Sequence, residues 1–92
     1  MTHHLKIWPA PFTSMLHNDK SAEYRINDRD FHVADQVLFT EWDNRVGAFT
    51  GRSIFALITD VQRGPDWGIP EGYAVLSIRV LSPDPPAWTI DA

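Results

Sequence analysis

The chain has 92 residues, 43% hydrophobic, 22% charged and 12% aromatic, which describes one small folded domain rather than a disordered segment. It has no cysteine, which excludes disulfide scaffolds, thiolate zinc sites and cysteine nucleophiles. Twelve acidic against eight basic residues give a net charge of −4, which argues against coating duplex nucleic acid by bulk charge and leaves room for a local basic pocket.

Taken in chain order, the pattern predicts a short strand over His4 to Ile7 that ends before Pro9. Pro9 and Pro11 suit the first turn of a helix, where a missing N–H costs little. Phe12, Met15 and Leu16 then share one helical face, so a short helix is predicted from Pro11 to His17, with Asn18 in the left-handed position that ends it. Ala22 to Ile26 alternates, with Ala22, Tyr24 and Ile26 on one face of a strand and Glu23 and Arg25 on the other. Asn27-Asp28-Arg29-Asp30 is a polar turn.

A strand from Gln36 to Trp42 places Val37, Phe39 and Glu41 on one side and Leu38, Thr40 and Trp42 on the other. Asp43 to Gly47 is a loop, Thr50-Gly51-Arg52 a turn, and Arg52 to Val61 a long strand. Arg63 to Gly72 is a loop rich in Gly and Pro, and Tyr73 to Leu81 the last strand, with Ala74, Leu76, Ile78 and Val80 on one face. The chain divides into one domain over 1–82 and a Pro-rich tail over 83–92 that contains Trp88. The fold class is mixed β with minor α: about five strands in a small barrel, with one short helix across its end.

No apolar run reaches the roughly 20 residues of a membrane span, and no apolar core of a signal peptide follows the first residues. The expectation is a cytoplasmic protein with no membrane partner.

Asn18-Asp19-Lys20-Ser21-Ala22-Glu23-Tyr24-Arg25 resembles the ASCH-domain signature Gly-x-Lys-x-x-Glu-x-Arg. His4-Leu5-Lys6-Ile7, Asn27 to Phe31, Glu41-Trp42-Asp43, Phe49-Thr50-Gly51-Arg52 and Gly72 to Ile78 are similar, in order and spacing, to an ASCH-like family common in phages and prophages, catalogued as domain of unknown function 3850. The ordered set carries the resemblance, since no one motif is specific. ASCH domains are similar to the PUA domain, so the resemblance implies a PUA-like β-barrel and a cleft lined by the Lys-x-x-Glu-x-Arg segment. It also implies RNA binding, ribonuclease action or hydrolysis of acylated cytidine. Three positions depart from the pattern: Asn18 replaces a Gly, Ala34 replaces the Gly before Asp35, and Glu23 stands where the acetylcytidine amidohydrolases carry a Thr nucleophile.

Lys20, Glu23 and Arg25 form the first candidate site. Two cations beside one carboxylate suit a phosphate or a developing oxyanion, with the carboxylate as base or hydrogen-bond acceptor. On a solvated edge the same residues would make only a surface ion pair worth ~0–1 kcal/mol. Glu41 is predicted to be a partly buried acid if its face points inward, partnered by Arg25, Arg52 or Lys20; it serves either as a pocket acid or as half of a buried ion pair. Arg52 is a further candidate for the cleft. Trp67, in the Gly/Pro loop, is the candidate aromatic lid, while the other Trp residues are expected mostly to build the core.

Asn27 to Asp30 lacks the oxygen ligands and the Gly of a calcium loop and is expected to hold an Arg–Asp pair. His3, His4, His17 and His32 show no metal spacing, so neither a metal nor a cofactor is expected. The expected function is binding of RNA or a modified nucleotide. The alternatives are a hydrolase in which Lys20 and Glu23 transfer protons, and a phage-type factor that binds a host protein.

Overall fold

The computed structural model describes residues 1–82; the tail expected over 83–92, with Trp88, lies outside them. Five strands and one helix follow in the order β1 (Thr2–Ile7), α1 (Pro9–Leu16), β2 (Ala22–Ile26), β3 (Gln36–Asp43), β4 (Ala48–Arg63) and β5 (Tyr73–Ser82), with a 3-10 turn at Asp66–Gly68. They form one sheet in the order β1-β3-β4-β5-β2, curled into a half-barrel. The predicted mostly-β fold with one short helix is therefore present, and β2 has the predicted bounds.

β4 is the spine. Its first part pairs with β3, from Gln36↔Leu57 to Asp43↔Ala48, and its second part with β5, as in Arg63↔Ala74. Register shifts between Phe55 and Ala56 and between Ile58 and Asp60 bend it, since a bulge increases twist and re-aims the strand. β1 adds to β3 in parallel and β2 to β5 antiparallel, so β1 and β2 are the outer strands.

Inward positions follow the alternation. Leu5 and Ile7 of β1, Val37 and Phe39 of β3, Ile54, Ala56 and Ile58 of β4, and Ala74, Leu76 and Ile78 of β5 meet in the core. Phe12 and Met15 of α1 close it, and Phe31 fills it from the loop before β3. Fully burying a side chain of this size contributes about 1.5–3 kcal/mol.

α1 starts earlier than the periodicity predicts, with Pro9 itself at the first helical positions. It ends as predicted: Asn18 has φ 62°, and the bonds Asn18 N to Met15 O (3.1 Å) and Asp19 N to Ser14 O (2.8 Å) form a Schellman cap. That cap turns the chain directly into Lys20 and β2.

Two expectations are corrected. Thr50-Gly51-Arg52 is not a turn that enters a strand; it lies inside β4, where Gly51 takes φ 91° at an irregularity opposite Glu41. The three described tryptophans do not build the core: Trp8 and Trp67 are exposed, Trp42 lies on the outer surface beside Phe49, and the core aromatics are phenylalanines. Phenylalanine has no N–H to satisfy and fills a small barrel more cheaply.

Candidate functional site

The half-barrel leaves a gap between its two outer strands, and this gap is the main cleft. It has a volume of about 450 Å³ and is walled by Leu5 to Trp8 on the β1 side and by Glu23 to Ile26 and Tyr73 on the other, with Asp28 and Arg29 at one end. This falls within the roughly 300–1,000 Å³ of small-ligand sites.

On β2 the apolar side chains point outward. Tyr24 and Ile26 are exposed, while Glu23 is only 7% exposed and faces inward with Arg25. Register explains this: Glu23 opposes Leu76 and Arg25 opposes Ala74, both inward residues of β5. A carboxylate held there needs partners, and it has two. Lys20 Nζ lies 3.2 Å from Glu23 Oε1, and Arg25 Nε donates to Glu23 Oε2 at 2.9 Å. Lys20 also donates to the carbonyl of Ala22. Arg25 Nη2 reaches across the gap and donates to the carbonyl of Lys6 at 2.6 Å, tying β2 to β1. Two cations on one carboxylate leave the trio with a surplus positive charge.

The rims of the cleft are aromatic. Trp8 stands on the β1 side, 57% exposed, and Tyr24 on the β2 side, 54% exposed. Tyr24 is backed by Tyr73, with ring centroids 5.2 Å apart and planes 19° from parallel, a stacked pair. The sequence reading assigned the aromatic role to Trp67 and did not single out Tyr24; alternation of Tyr24 with the ion-pairing residues was the available signal.

Glu41 and Arg52 form a separate unit. Between Thr40↔Ser53 and Trp42↔Phe49 the ladder has one residue on β3 and three on β4, so Thr50 and Arg52 both fold round Glu41. Arg52 Nε and Nη2 each donate to its carboxylate at 2.8 Å, and Thr50 Oγ1 donates at 2.6 Å. Glu41 is 2% exposed, so its face is the inward one, and Arg52 is the partner among those foreseen. The Arg52 hydrogen bonds hold its carboxyl below the usual range, against burial, which pushes it up. The Arg52 guanidinium also lies 4.7 Å from the Phe12 ring centre, so the pair fastens α1 to the barrel end. Of the predicted site residues, Glu23 and Arg25 line the main cleft, Lys20 stands beside it on Glu23, and neither Glu41 nor Arg52 lines it.

Trp67 is 78% exposed in the 3-10 turn, at φ 60°, and does not line the cleft. The loop that carries it is closed tightly at its base: a Cβ on Gly64 would meet the Pro70 carbonyl oxygen at 1.9 Å. Arg29 pairs with Asp28 at 3.9 Å, the Arg–Asp pair expected of that turn. Among the described residues no group of His, Asp and Glu is arranged to hold a metal ion. No helix among them is long and apolar enough to cross a membrane.

One pair was not foreseen. His3 is buried against the Phe31 ring, and its Nε2 lies 2.8 Å from Asp35 Oδ2. Asp35 also accepts the His32 N–H at 3.0 Å and faces the N-terminal amine at 3.5 Å. Burial raises the Asp35 carboxyl, but the His3 and His32 bonds and the nearby positive charges outweigh it and hold it below the ordinary value.

The family model described as Domain of unknown function (DUF3850) matches residues 2–78. The chain belongs to this family. A relative in Escherichia phage P2, the "Uncharacterized 12.9 kDa protein in GpA 3'region", is 38% identical over 79 residues, covering 86% of this chain and 68% of that protein. The DUF3850 match takes in β1 through most of β5, and so both walls of the cleft.

Proposed function

We propose that this DUF3850 protein is an ASCH/PUA-like domain that binds RNA or a modified nucleotide in the cleft between β1 and β2. One observation carries the reading: Glu23 is shared by Lys20 and Arg25, which leaves positive charge beside a cleft rimmed by exposed aromatics. Lys20 and Arg25 meet phosphate or a base carbonyl through charge-assisted bonds. Glu23 and the Lys6 carbonyl accept from base amino groups, and Trp8 or Tyr24 stacks on the base. A cytoplasmic location, where such ligands occur, is part of this proposal.

The test is calorimetric titration with single-stranded RNA and with cytidine 5′-monophosphate, using the wild type, Lys20→Ala and Arg25→Ala. Both substitutions should weaken binding by about tenfold or more, as loss of a charged hydrogen-bond partner does. Unchanged binding in a folded variant would overturn the site assignment.

A hydrolase using the same cleft is the second reading, favoured by the 3.2 Å contact of Lys20 with Glu23, a pair suited to proton transfer. Incubation with end-labelled RNA and with N4-acetylcytidine distinguishes it. Product formation lost in Glu23→Gln supports hydrolysis, and intact substrate excludes it.

A further inference from the structure

We infer that the cleft takes one mononucleotide-sized anion, its base on Tyr24, and does not track a continuous strand; this rests on the nucleotide-binding reading above. A protein that follows single-stranded nucleic acid combines a positive groove along the backbone with successive stacking rings. Here the uncompensated positive charge sits in one place, at Lys20 and Arg25, because Arg29 at the end of the cleft is offset by Asp28 at 3.9 Å. All eight Lys and Arg residues lie among the described residues, so their distribution is complete.

Most of them are engaged away from the cleft. Arg45 is paired one-to-one with Asp43 at 3.4 Å, and Arg52 with Glu41 at 2.8 Å. Arg63 donates to the carbonyl of Phe31, and Lys6, a residue of the cleft wall, has its ammonium 4.4 Å from the centre of the Trp42 ring. Arg79 is exposed on β5, a strand away from the cleft edge. Among the described residues, only at Glu23 do two Lys or Arg side chains share one carboxylate.

The surroundings oppose a strand that leaves the cleft. The loop after β2 is tied to the β4–β5 loop by the Asn27 N–H to Gly72 O bond at 2.9 Å, which sets Asp28 and Glu71, the neighbours of these two residues, at that end. Phosphates passing there meet negative charge. The cleft itself, about 450 Å³ between two strands joined by the Arg25–Lys6 bond, has the size of a small-molecule site. Tyr24, fixed by its stack on Tyr73, offers one ring face at the rim.

The test compares the common ribonucleoside 5′-monophosphates with an unstructured oligouridylate of about 12 nucleotides, titrated over a salt series. The inference predicts that the strand binds less than about tenfold more tightly than the best mononucleotide, with a salt slope no steeper than about −1.4, the value for two phosphate contacts on a single strand. A strand bound more than about tenfold more tightly, with a steeper slope, overturns the inference and leaves the RNA-binding reading standing. Binding of neither probe removes both. Tyr24→Ala should weaken the mononucleotide by about fivefold or more while Tyr24→Phe keeps its affinity; equal affinity in all three proteins overturns the stacking assignment.

Discussion

Arg25 Nη2 donates to the carbonyl oxygen of Lys6 at 2.6 Å, so one side chain joins the two outer strands of the sheet. The same guanidinium holds Glu23 through its Nε. The cleft floor and its charge thus depend on one residue. Arg25→Ala should lower stability by about 1–3 kcal/mol, because it removes a charged hydrogen bond and leaves Glu23 with Lys20 alone. Arg25→Lys should recover only part of this, since an ammonium cannot bond to Glu23 and Lys6 in the same fork. Urea titration of the three proteins measures both; identical midpoints would contradict the bridge.

The Glu41–Arg52 pair makes a pH prediction. The Glu41 carboxyl is held below its ordinary value in the folded chain, chiefly by Arg52. A lowered folded value means that the stabilisation is complete above the unfolded value and is lost as pH falls through the folded one. Stability should therefore fall below about pH 4, and Glu41→Gln should flatten that part of the profile while costing stability at neutral pH. Arg52→Ala should cost about 2–3 kcal/mol at pH 7, because it strands a buried carboxylate, partly relieved by Thr50 and by the exposure of Arg52 itself. Thermal melts from pH 3 to pH 7 would check this; parallel profiles for wild type and Glu41→Gln would contradict it.

Ala34 occupies the left-handed region, with φ 75°, where the family resemblance leads one to expect Gly. The backbone kept the turn, with Ala34 N bonded to Ile58 O at 2.9 Å, and accepted the strain. Ala34→Gly should raise stability by about 0.5–1 kcal/mol, the left-handed cost of about 1–2 kcal/mol less the added freedom of the unfolded chain. That is a rise in Tm of about 2–8 °C in a domain this small. A lowered Tm would show that the Ala34 methyl is not a source of strain.

Much of this was legible in the sequence, and the exceptions have physical causes. Alternation located β2 and paired Glu23 with Arg25, but it does not say which face turns inward. A hydropathy argument would have buried Tyr24 and Ile26; the register with Ala74 and Leu76 buries Glu23 instead, and Lys20 and Arg25 make that tolerable. Gly51 signals a turn in isolation, and only the partner strand shows that its positive φ serves a bulge round Glu41. His3 and Asp35 are 32 residues apart and leave no periodic trace. Trp67 drew notice because a large aromatic in a Gly/Pro loop suggests a lid, yet its loop faces solvent and not the cleft.

Trp67 therefore carries a negative prediction. Trp67→Gly removes an exposed ring at φ 60° and should leave Tm unchanged or raised and mononucleotide affinity within about twofold of wild type. A larger loss of affinity would return Trp67 to the site.

The most direct measurement is amide chemical-shift mapping of the 15N-labelled chain during titration with a ribonucleoside 5′-monophosphate. The account predicts that the perturbed amides cluster on the two walls, at Lys6 to Trp8 and Glu23 to Ile26, and that Arg25→Ala abolishes the shifts. Perturbation centred on the smaller concavity of Leu38, Phe49 and Ser53, or no perturbation at all, would contradict it.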